Sequence, residues 1–303
     1  MKKYVAVLAA ALIAPALAAA GAAPAVAQTA PREPVAKPVP GDAVTAVKAQ
    51  FAKKSGVRLS ETLRMTFNKQ TLLDVRRTGL LRFGPSGVTS FDVTTTATDR
   101  TEDEKKTETT RVIAAGKYGY SQGVETADLP EGKKWVRFTD YATPPSSLSV
   151  DILNPKVLKA VLASTKDKVK GEKIDGTRTT VYRGTIDLKT LAKADKRNQS
   201  LVLLLGEITN AKDKLSWKLW LGEDNLPRRF TSSYVLLADK NGDATITSDT
   251  GFTAWGTKAE VKAPPAAEVI DRKNLPSEAQ EEAEENFLIP FGDPYKNLKL
   301  TRG

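Results

Sequence analysis

The sequence of 303 residues contains neither cysteine nor histidine. The first absence removes a disulfide framework and any thiol for lipid attachment or redox chemistry. The two together remove the usual zinc ligands and the Ser-His-Asp and Cys-His catalytic groupings. Long apolar runs are scarce as well. The run from Val5 to Ala20 is short and alanine-rich, and nothing later approaches the ~20 apolar residues a spanning helix needs. Carboxylates remain, but they sit mainly in turns and charged tips, so no catalytic pair is expected. Asp239, Asn241 and Asp243 begin like an EF-hand calcium loop, yet Ala244 and Thr250 stand where that loop wants glycine and glutamate. The chain is therefore expected to need no metal and no cofactor, and not to be an enzyme.

What is present points outward from the cytoplasm. Lys2 and Lys3 precede the apolar run, and Ala25-Val26-Ala27 follows it, the pattern of a secretory signal peptide over 1–27. An uncleaved N-terminal anchor is the alternative. Loss of the two lysines takes the formal charge from +10 to +8, which suits anionic membrane surfaces or envelope polymers. Nucleic acid is not an expected partner, because the aromatic residues lack clustered surface arginines. Residues 28–41 are proline-rich and read as a tether.

The rest alternates with period two over segment after segment. Strands are expected at Val57 to Phe67, Leu72 to Phe83, Val88 to Thr96, Thr107 to Ala114, Tyr118 to Ser121, Lys134 to Phe138, Val169 to Ile174 and Thr177 to Leu188. Three more fall between Leu215 and Val261. Gly84-Pro85-Ser86-Gly87, Asp175-Gly176 and Asn241-Gly242 supply turns, the last two as hairpin dipeptides. Short turns imply an antiparallel meander. The charged stretch Thr98 to Glu108 reads as a solvated hairpin tip.

Helical spacing appears in three places. Val44, Val47 and Phe51 follow Asp42, a candidate cap. Val150 to Ser164 carries Ile152, Leu153, Val157, Leu158, Val161 and Leu162 at helical spacing, with Pro155 able to sit in a first turn. Leu201, Leu204, Leu205 and Ile208 share a side within Thr190 to Thr209, and Leu203 would extend it. Lys156, Lys159, Lys166, Lys168, Lys170 and Lys173 read as a solvated basic face that could meet a membrane.

Three runs, GTRTTVYRGTIDLKTLA (Gly176 to Ala192), LWLGEDNLPRRF (Leu219 to Phe230) and TGFTAWGTKAEVKAPPAAEV (Thr250 to Val269), resemble the LolA-like superfamily, specifically its actinobacterial LppX and LprG branch of lipid-binding (lipo)proteins. The resemblance spans most of 42–271. It implies an α+β fold, a curved antiparallel sheet or half-barrel with helices covering its concave face and an apolar cavity between. Many relatives carry a lipid-modified cysteine after the signal peptide; this chain has none, which implies a freely diffusing form. The acidic tail, 272–303, lies outside the resemblance.

The expected lining of that cavity is Leu63, Met65, Phe67, Leu81, Phe83, Val93 and Val112 from the strands and Leu158, Val161, Leu162 and Leu203 from the helices. The expected function is a secreted or envelope-located, monomeric carrier of a lipid or glycolipid. A non-catalytic envelope sensor or interaction protein that uses the same fold to bind another protein remains the alternative. The exported chain is expected to begin at Gln28. N-terminal sequencing of the product checks this, and a product that starts at Met1 contradicts it.

Overall fold

Alternation turns every second side chain to the same face of a strand, and among the described residues it organises a sheet of twelve strands. The computed structural model describes residues 40–100, 105–123, 129–139, 150–195, 214–239 and 242–275, all within the unit Ala36–Gly303. The stretch read as a signal peptide, nearly all of the stretch read as a tether, the stretch with Leu203 and the tail beyond Leu275 lie outside the described residues.

A first meander contains β1 (Gly56–Phe67), β2 (Gln70–Gly84), β3 (Gly87–Asp99), β4 (Lys106–Ala115), β5 (Tyr118–Gln122) and β6 (Trp135–Phe138). A second contains β7 (Thr165–Ile174), β8 (Thr177–Asp187), β9 (Lys214–Gly222), β10 (Pro227–Asp239) and β11 (Gly242–Thr257). They join where β1 pairs with β11, giving the order β12-β6-β5-β4-β3-β2-β1-β11-β10-β9-β8-β7. Every pairing is antiparallel except the last addition, β12 (Val269–Asp271), which runs parallel to β6. Arg137 on β6 donates to Asp271 at 2.8 Å, and its guanidinium holds the Asp271 carboxyl below the usual carboxylate range.

Three helices, α1 (Pro40–Ala52), α2 (Pro155–Ala163) and α3 (Leu188–Ala194), join the inner-face side chains of β1–β4 and β8–β11 in one apolar cluster. One cluster can draw on strands that far apart in the order only because the sheet curves around the helices. The architecture is the expected α+β one: a curved, open antiparallel sheet with helices on its concave face.

Several boundaries differ from the sequence reading, each for a local reason. Helix α1 starts at Pro40, so Asp42 sits in its first turn instead of capping it, and Ala43, Val47 and Phe51 form the buried stripe. Helix α2 starts at Pro155, with Asn154 Oδ1 accepting the Lys156 amide at 2.9 Å; Val150, Ile152 and Leu153 are buried ahead of it. Strand β7 begins at Thr165, so Lys166, Lys168, Lys170 and Lys173 lie on a strand at the end of the sheet, where lysines discourage pairing with another chain. Helix α3 begins at Leu188, which was expected to end β8.

The Asp175-Gly176 turn is as expected, between the paired residues Ile174 and Thr177 with φ of 51° and 73°. The second is shifted by one residue: Asp239 pairs with Gly242, so Gly242 flanks the loop instead of occupying its centre. Asn68 explains the glycine. A Cβ on Gly242 would stand 1.9 Å from Asn68 Oδ1, which accepts the Asp243 amide at 3.2 Å.

Helix α1 ends in a Schellman motif, with the Ser55 amide donating to Gln50 O at 3.3 Å and the Lys54 amide to Phe51 O at 2.9 Å. The left-handed position usually held by glycine is Lys54, φ 49°. That conformation costs a residue with a Cβ about 1–2 kcal/mol, and glycine's extra freedom in the unfolded chain returns about 0.4–1 kcal/mol. Lys54→Gly is expected to raise stability by up to about 1 kcal/mol. Urea unfolding checks it, and a lowered midpoint at unchanged slope contradicts it.

Candidate functional site

The concave face is assembled from strand alternation and the stripe of α2. Val157, Leu158 and Val161 are fully buried and Leu162 is 2% exposed, all four on the side of α2 turned to the sheet. Polar ties fix both ends of this helix. Asn154 Nδ2 donates to Asp195 Oδ2 at 2.9 Å, just past α3, and Trp217 Nε1 on β9 donates to Ser164 Oγ at 3.0 Å. Gly184 makes the second tie possible. A Cβ there would meet Ser164 O at 2.3 Å and the Trp217 ring at 2.6 Å.

Nine of the expected lining residues meet in the same cluster: Leu63, Met65, Leu81, Phe83, Val93, Val112, Leu158, Val161 and Leu162. Phe67 packs against its margin, half-buried, and Leu203 lies outside the described residues. The interior also takes Leu59, Phe91, Trp217, Leu219, Phe230 and Ile246. The same alternation marks all of these.

Sequence reasoning missed the polar residues that interrupt this apolar face. In register across five strands stand Thr110, Thr95, Arg77, Glu61 and Thr250, all buried. Arg77 Nη1 donates to Glu61 Oε2 at 2.8 Å, and Thr250 Oγ1 donates to Glu61 Oε1 at 3.1 Å. In the neighbouring row, Ser232 and Ser248 share a hydrogen bond of 2.7 Å. The signal was in the chain: Glu61 falls in phase with Leu59 and Leu63, and Arg77 with Val75 and Leu81. An ion pair in such a place is costly to break, because each charge is desolvated.

The face between sheet and helices is thus apolar, crossed by a short row of buried polar groups, several of which are hydrogen-bonded to one another. A separate cavity of about 670 Å³ opens beyond the end of α1, and none of the expected lining residues borders it.

Neither a protein-family model nor a curated protein matches the chain. Among solved structures, LprF from Mycobacterium bovis is 16% identical, with a TM-score of 0.40 over 76% of this chain and 100% of LprF. A LolA superfamily protein from Nitrosomonas europaea is 9% identical, with a TM-score of 0.25 over 73% of this chain and 94% of its own. A DUF1329 family protein from Desulfovibrio piger is 10% identical, with a TM-score of 0.25 over 75% and 96%. At these scores the likeness carries no argument, and the function is read from this chain's own residues.

Replacing Arg77 by methionine leaves the Glu61 carboxylate buried without its guanidinium and is expected to cost about 3–5 kcal/mol. Arg77→Met combined with Glu61→Leu is expected to recover most of that loss. Urea titration of both variants checks the pair, and equal destabilisation by single and double replacement contradicts it.

Proposed function

We propose that the domain is an exported, non-catalytic carrier that takes the apolar part of a lipid or glycolipid between the sheet and helices α1 to α3. The observation that carries this reading is the convergence of the α2 stripe with inner-face residues from both meanders on one enclosed apolar interior. The sequence resemblance to LolA-like lipid-binding proteins supports the same reading, and the N-terminal signal pattern supports export. Moving a ~16-carbon chain out of water gains at most ~13 kcal/mol at ~0.8 kcal/mol per methylene, before ordering costs. Sequestration therefore needs no chemistry.

One observation favours the second reading, an envelope interaction protein with a filled interior: the α2 stripe is buried as closely as an ordinary core. Leu162 separates the two. Leu162→Trp is expected to lower binding of a fluorescent long-chain lipid at least tenfold with an unchanged far-ultraviolet circular dichroism spectrum. Unaltered binding contradicts the carrier.

Delivery would take place at an anionic membrane. Lys156 and Lys159 are exposed on α2 and Lys166 just past its end, and each lysine near such a surface contributes up to ~1 kcal/mol. Association with anionic vesicles is expected to weaken as salt rises from low to high ionic strength, and to weaken again on replacing the three by glutamine. Association indifferent to both contradicts the membrane part of the reading.

A further inference from the structure

The cavity of about 670 Å³ lies among the β7–β8 turn, the β9–β10 turn, the end of α1 and the end of β11, within the range of small-molecule sites, roughly 300–1,000 Å³. Part of its wall is apolar. Leu226 is buried, and Trp255 stacks on Phe83 with ring centroids 5.8 Å apart, which carries this wall into the main core. The rest is charged, with Lys53, Lys54, Arg228 and Lys258 against Asp175 and Asp224.

The two carboxylates are already engaged. Asp175 Oδ2 accepts the Ala254 amide at 3.1 Å; Asp224 accepts the Leu226 amide at 3.2 Å and Arg228 Nη2 at 2.6 Å. The lysines are not. Among the described residues, the ammonium groups of Lys53, Lys54 and Lys258 make no ion pair and no hydrogen bond. Arg228 is 6% exposed, and its Nε makes no hydrogen bond. Four cations against two carboxylates leave the lining with a net charge of +2.

The backbone of the wall is also held in costly conformations. Lys54 and Ala254 are left-handed, with φ of 49° and 50°, and strain of this kind persists where surrounding structure imposes it. Around Ala254 it is the Asp175 carboxylate that fixes the amide. At Lys54 the strain keeps a lysine where glycine would be easier, on the wall of the cavity.

A concave wall with free cations on one side and an aromatic ring leading into the core on the other matches a ligand with a negative group next to an apolar part. We propose that this cavity binds an anionic group of phosphate or carboxylate chemistry, with Lys53, Lys54 and Lys258 around the anion. Where the anion is the headgroup of an amphiphile, Trp255 and Leu226 contact its first carbons; that half of the proposal rests on the carrier reading above.

The test measures binding of dihexanoyl phosphatidate, dihexanoylglycerol and inorganic phosphate to the full chain, to Lys53→Gln with Lys258→Gln, and to Lys54→Gly, which is expected to retain the fold. Phosphatidate is expected to bind at least tenfold more tightly than the neutral lipid. Each lysine is expected to contribute roughly fivefold, so the double variant loses most of that preference and Lys54→Gly part of it. Equal affinity of the parent chain for the two lipids overturns the anion site and leaves the carrier standing. Lysine-dependent binding of inorganic phosphate without either lipid supports the site, with a free anion as its ligand, and removes the amphiphile. Binding of none of the three overturns the proposal.

Discussion

The pairing of β1 with β11 is the constraint on which the rest of the domain depends. It joins segments nearly the whole domain apart in sequence, from Gly56 opposite Thr257 to Phe67 opposite Ala244. Without it the two meanders would be separate sheets, each with an open edge of the kind that pairs with other chains. Closing so long a loop is entropically unfavourable, and the side chains at the seam offset it. Leu59 lies opposite Phe252 and Met65 opposite Ile246, while Glu61 reaches Arg77 on one side and Thr250 on the other. The buried ion pair thus lies at the junction of the two halves. A register slip of one residue would turn Glu61 outward and every apolar partner with it.

The helices complete the interior but contribute little stability of their own. Their lengths of 13, 9 and 7 residues fall around or below the ~12–15 at which an isolated helix is even marginal. They hold their positions through packing and a few polar ties such as Asn154 to Asp195 and Trp217 to Ser164. Elements of this kind open at lower free energy than the sheet beneath them, and a carrier needs that difference: a rigid wall and a cover that can part from it.

Much of this was legible in the sequence because period two and period 3.6 are local signals. Alternation marks nearly every strand, and the α2 stripe repeats at helical spacing whatever the strand register. The turn at Asp175-Gly176 was equally local. What escaped depends on residues distant in the chain. The shift at Gly242 comes from Asn68 on another hairpin. The parallel strand β12 is only three residues long and owes its place to Arg137 and β6. The polar row across the concave face emerges only once five strands are in register, although Glu61 in phase with Leu59 and Leu63 was a sign of it. The cavity beyond α1 gathers residues from four separate segments, and no spacing in the sequence announces it.

The central claim is that the interior between sheet and helices accepts a ligand instead of being complete without one. Native mass spectrometry of the purified protein, with organic extraction of the same sample, tests it most directly. A mass above that of the chain alone is expected, with the excess recovered as an acyl-chain lipid. A mass equal to the bare chain, in a protein that also fails to take up added lipid, would contradict it.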